Sequence, residues 1–86
     1  MSNKKLNKDW GKVHNAKISL IKVTNIGHDL ITADISGCLK QWNLESRRLT
    51  WDYGICHKGA ITSIVIALNN AFMLSGGNSG DLKMWD

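Results

Sequence analysis

The stretch GCLKQW at residues 37–42 decides how this chain is read, because it returns as GDLKMW at residues 80–85, an offset of 43 residues. The same offset carries His14 onto His57, Gly11 onto Gly54, Asp9 onto Asp52, Leu6 onto Leu49, Ile18 onto Ile61 and Ile21 onto Ile64. An offset that holds over so many residue types without a gap is an internal repeat, with copies over about residues 6–48 and 49–86. Self-similarity at a period of roughly 40–45 residues marks architectures in which one supersecondary unit stacks on the next.

Within each copy the residues alternate between short apolar runs and turn formers. Expected strands lie at residues 18–24, 29–33 and 38–42, and again at 61–67, 72–76 and 81–85. Residues 4–10 and 47–53 are expected as outer strands, the second with the better strand composition in Arg48, Leu49, Thr50 and Trp51. Gly27, Gly37, Asn69-Asn70 and Asn78-Ser79-Gly80 supply turns, since Gly and Asn accept positive φ cheaply. No helix is expected.

A copy that begins near a His and ends on Trp followed by Asp or Asn resembles the WD40 repeat family. The residues that carry the resemblance are His57, Ser75-Gly76-Gly77, Gly80 and Trp85-Asp86, with a more degenerate first set in His14, Thr32-Ala33-Asp34, Gly37 and Trp42-Asn43. The resemblance implies an all-β fold of two four-stranded antiparallel propeller blades, the second lacking its outer strand, forming part of a propeller that is not closed within residues 1–86. It also implies that His14, Thr32 and Trp42, then His57, Ser75 and Trp85, are structural blade anchors joined by hydrogen bonds. The family's Asp position falls on Ser36 and Ser79, so both networks are expected to lack a carboxylate unless Asp34 substitutes in the first. By the same reasoning Ser79→Asp should stabilise the second copy.

Composition narrows the function classes. A hydrophobic share of 43% suits a soluble globular chain, and no run approaches the roughly 18 apolar residues that span a membrane. The first ten residues hold Lys without a following apolar segment, so they are no secretory signal, and a cytoplasmic protein is the default. Cys38 and Cys56 fall outside the repeat pattern and give no disulfide framework. Residues 1–22 carry a local charge of +5 within a net +4. Such a basic end could attract nucleic acid or an acidic surface, but no Arg cluster or stacking series accompanies the lysines, and a solvated terminus is the simpler reading.

No catalytic set emerges. Each His falls at a repeat anchor rather than in a triad. Cys38, Cys56, His57 and His28 match no zinc spacing, and the Gly-rich run at 76–80 leads into a strand where a phosphate loop requires a helix. No cofactor, metal or enzyme activity is therefore expected. The function expected is a protein-interaction scaffold, with Lys12, Asn15, Lys17, Asp34, Lys58 and Asn78 on one rim as candidate partner-binding positions. Its partners would be proteins or peptides at the rim loops and further blades, in the same chain or by head-to-tail self-association. The alternatives are nucleic-acid or acidic-surface binding through the basic segment, and accessory blades of a larger enzyme.

Overall fold

Ile61 and Ile64 stand three residues apart, a spacing that in a regular strand would point them to opposite faces. In the computed structural model of the protein, which describes residues 5–24, 27–67 and 71–86, both are buried on the same face. The reason is a bulge: Ile61 pairs with Gly77 and Ser63 with Gly76, so one extra residue resets the alternation between them. The bulge recurs 43 residues earlier, between Ile18 and Leu20.

The strands run β1 Ile18–Val23, β2 Asp29–Asp34, β3 Cys38–Asn43, β4 Arg48–Ile55, β5 Ile61–Ala67, β6 Phe72–Gly77 and β7 Leu82–Trp85. They form two antiparallel sheets, one of four strands ordered β1-β2-β3-β4 and one of three ordered β5-β6-β7. Neither sheet closes on itself, and there is no helix among the described residues, hence none long and apolar enough to cross a membrane. The expected turn at residues 69–70 lies outside the described residues.

The sheets meet face to face. Ile31, Ala33 and Leu39 of the first pack with Cys56, Ile61, Ile64 and Met73, and Leu20, Tyr53, Ile66 and Trp85 edge the cluster. Burying a side chain such as Ile31 or Ile61 stabilises by roughly 1.5–3 kcal/mol, so this one layer is the main cohesive contribution. The edge strands β1 and β5 also touch, and Ser19 Oγ donates to the Ile61 carbonyl at 2.7 Å.

One expected strand is absent. Residues 5–10 form no strand, although an outer strand was expected over 4–10; residue 4 itself lies outside the described residues. No strand among the described residues stands beside this segment to accept its backbone hydrogen bonds, so it lies along the β3–β4 turn instead. Trp10 Nε1 donates to the Arg47 carbonyl at 2.9 Å, and Arg47 Nε donates to Asn7 Oδ1 at 2.9 Å. Arg47 itself has φ of 62°, which makes it the turn residue rather than the start of the expected strand at 47–53.

Candidate functional site

His14 and His57 sit buried in loops that lead into β1 and β5. His14 Nε2 lies 2.7 Å from Thr32 Oγ1, and Trp42 Nε1 donates to the same hydroxyl at 2.9 Å. The second copy repeats this, with His57 Nε2 2.8 Å from Ser75 Oγ and Trp85 Nε1 donating to Ser75 at 2.9 Å. Each hydroxyl accepts from an indole and keeps a proton to donate to the imidazole Nε2, an assignment that puts the ring proton on Nδ1.

Other contacts recur at the same offset. Lys40 Nζ donates to the Val13 carbonyl and Lys83 Nζ to the Cys56 carbonyl. Trp10 meets Trp42 edge-on at 6.1 Å between ring centroids, and Tyr53 meets Trp85 at 5.2 Å. Trp10 is thus engaged through both its ring and its N–H.

A carboxylate stands beside each imidazole: Asp34 does substitute in the first network, and the expectation that the second lacks one is overturned. In the first, Asp34 Oδ2 lies 2.7 Å from His14 Nδ1, while its Oδ1 accepts from the Ser36 and Cys38 amides and the Ser36 hydroxyl. Burial raises the Asp34 carboxyl, but these donors outweigh it and hold the group below its ordinary range. In the second network the carboxylate comes from Asp81, the counterpart of Cys38, whose Oδ2 is 3.0 Å from His57 Nδ1. That approach is not aligned as a hydrogen bond, and it leaves His57 Nδ1 without one. Ser79 Oγ donates to Asp81 Oδ1 at 2.7 Å; this bond first and the imidazole second lower the Asp81 carboxyl to about 2.

Gly77, the counterpart of Asp34, makes the exchange possible. A Cβ there would stand 2.8 Å from Asp81 Oδ1 and 2.9 Å from His57 Nδ1. The self-alignment carried this signal as a reciprocal exchange, Asp and Cys in one copy against Gly and Asp in the other, and matching positions one at a time misses it.

Asp34 is therefore no rim side chain, and its assignment as a partner-binding position is corrected: it is buried and fully engaged. Lys12, Asn15, Lys17, Lys58 and Asn78 are exposed. Their loops converge at one end of both sheets: the Ile35 amide bonds the Lys17 carbonyl, the Asn78 amide the Ala60 carbonyl, and the Cys56 amide the Gly37 carbonyl.

Compared with known family models and with curated proteins, the chain matches none.

Chemistry at the first network is limited by its own bonds. His14, Asp34 and Cys38 bring potential metal-ligand atoms within 4.8 Å of one another. Both imidazole nitrogens are committed, however, and a metal would have to displace Thr32 or Asp34. The Cys38 thiol is pushed up, by burial first and then by the Asp34 and Asp52 carboxylates, which disfavours the thiolate a ligand or nucleophile requires. Burial likewise raises Cys56.

Proposed function

We propose that the two sheets are WD40-type propeller blades and that the chain is a non-catalytic protein-interaction scaffold, working within a larger propeller or assembly. One observation carries this reading. Leu39 is 0% exposed where the second sheet covers it, while its counterpart Leu82 is 71% exposed. On the opposite face the contrast reverses: Ile61 and Ile64 are 0% and 5% exposed, but their counterparts Ile18 and Ile21 are 41% and 58% exposed. Each copy thus carries two apolar faces, and the pair satisfies only the two that meet. Bare faces of this kind seek further units.

The turn glycines support the same reading. Gly37 and Gly80 have φ of 94° and 93°, yet a Cβ at Gly37 would collide with the His57 backbone while one at Gly80 meets nothing. A seat that the second sheet occupies at Gly37 is open at Gly80. The scaffold role rests on the convergent rim loops, on exposed Lys12, Asn15, Lys17, Lys58 and Asn78, and on the absence of an uncommitted nucleophile and base pair among the described residues.

Light scattering after size exclusion tests the reading. The 86-residue chain should associate beyond its 9.6 kDa mass, and Ile21→Lys together with Leu82→Lys should abolish that association. A sharp, cooperatively melting 9.6 kDa species in the parent chain would sink it.

A further inference from the structure

At the end of β2 remote from His14, the two sheets part and leave a cleft of about 400 Å³ walled by both. The cleft lies between the sheets rather than on either bare outer face. Three aromatic side chains, Tyr53, Phe72 and Trp85, line it together with the carboxylates of Asp29 and Asp86. None of its lining residues is Lys or Arg, and His28 is its one imidazole, in a chain whose net charge is +4.

The acidic side is built. Tyr53 Oη donates to Gln41 Oε1 at 2.9 Å, and Gln41 Nε2 donates to Asp29 Oδ2 at 2.8 Å. A carboxylate offers about four acceptor sites, so Asp29 is oriented by this relay with capacity remaining. The relay also departs from the repeat: 43 residues on, Asp29 becomes Phe72 and Gln41 becomes Met84. Contacts that only hold the scaffold recur in both copies, as with His14 and His57 or Lys40 and Lys83. A polar relay present in one sheet alone, facing Phe72 and Trp85 of the other, is not required by the packing of the repeat.

We propose that this cleft binds an arginine side chain presented by a partner polypeptide. A planar guanidinium can stack on an aromatic face while its fork of N–H groups meets a carboxylate, and it is more weakly hydrated than an ammonium. Both halves of that recognition are present, the rings of Tyr53 and Trp85 and the carboxylates of Asp29 and Asp86. The proposal deepens the scaffold reading, and rests on it for the source of the arginine; the cleft chemistry stands independently.

The test is a titration of the full chain with acetyl-Gly-Arg-Gly-amide, followed by NMR shift changes at the Trp85 indole and Gln41 amide. Saturable binding is expected. The citrulline peptide, of the same shape without the charge, and the Asp29→Asn and Asp86→Asn variants should each bind at least about tenfold more weakly. Ile35→Ala, an exposed position past the opposite end of β2 from the cleft, should bind as the parent does. Equal affinity for the citrulline peptide, or undiminished binding by a folded Asp29→Asn variant, overturns the proposal, and the peptide comparison needs no variant to fold. A lysine peptide that binds as tightly overturns the arginine assignment. Loss of association in light scattering with arginine-peptide binding intact would instead count against the scaffold reading alone.

Discussion

Asp81 places its carboxylate 3.0 Å from Nδ1 of His57, and it does so from the lead-in to β7, where the first copy supplies Asp34 from the end of β2. Each histidine has a carboxylate beside its Nδ1, supplied from non-equivalent positions. A buried imidazole whose Nε2 is taken by a hydroxyl favours a carboxylate beside Nδ1; Asp34 meets His14 with a hydrogen bond, Asp81 meets His57 with an unaligned approach. Whichever strand end supplies the carboxylate, the other must stay clear.

Gly77→Ala should therefore destabilise the second sheet by about 1–3 kcal/mol, the usual cost of forcing an extra methyl group into a packed site. The added Cβ would meet both Asp81 Oδ1 and the buried His57 ring, and the ring cannot move aside without breaking its bond to Ser75. Thermal unfolding of the variant in a folding-competent assembly measures it; an unchanged midpoint would mean that the site relaxes freely.

The reciprocal exchange can be reversed. Gly77→Asp alone should be more harmful than Gly77→Ala, because it adds a second carboxylate beside Asp81. Combining it with Asp81→Cys recreates the arrangement of Asp34 and Cys38 and should recover most of the loss, a coupling that a double-mutant cycle would register.

Ser79→Asp, which the repeat pattern alone marks as stabilising, should lower the melting temperature. The hydroxyl now donates to Asp81 Oδ1 at 2.7 Å. Replacing it with an acceptor-only group removes that bond and sets like charges side by side. A raised melting temperature would show that Ser79 occupies the position the repeat pattern assigns to Asp.

Acid should loosen the second network in a defined window. The Asp81 carboxyl titrates at about 2 when folded against an ordinary value of 3.8. A depressed folded value means that its contribution is complete above the ordinary value and is lost as pH falls from about 4 toward 2. Asp81→Asn should flatten the dependence of melting temperature on pH within that range, and leave the dependence above pH 5 as it was. An unaltered slope below pH 4 would remove Asp81 from the network.

Trp42→Ala should cost about 3–5 kcal/mol, as truncations of buried Trp do. It removes the donor to Thr32 and the edge contact with Trp10 together. A loss below 1 kcal/mol by chemical denaturation would contradict its anchoring role.

What the sequence determined by itself follows from the 43-residue recurrence. Like residues at like positions obey the same local rules, so the strands and turn glycines could be read from the recurrence, while the antiparallel pairing and the His, hydroxyl and indole sets were implied by the family resemblance it carries. The tertiary structure alone decided the rest. Residues 5–10 are no strand because pairing needs a neighbour that local propensity cannot supply. Asp34 is a buried network member, and Asp81 takes its role in the second network, because a carboxylate's partner is set by which chain ends converge on the imidazole. The Tyr53, Gln41 and Asp29 relay joins three strands of the first sheet along the margin of a cleft that exists only once the second sheet has docked. Leu39 is buried and Leu82 bare for the same reason: burial belongs to what stands next to a residue, and sequence repeats the residue without repeating its neighbour.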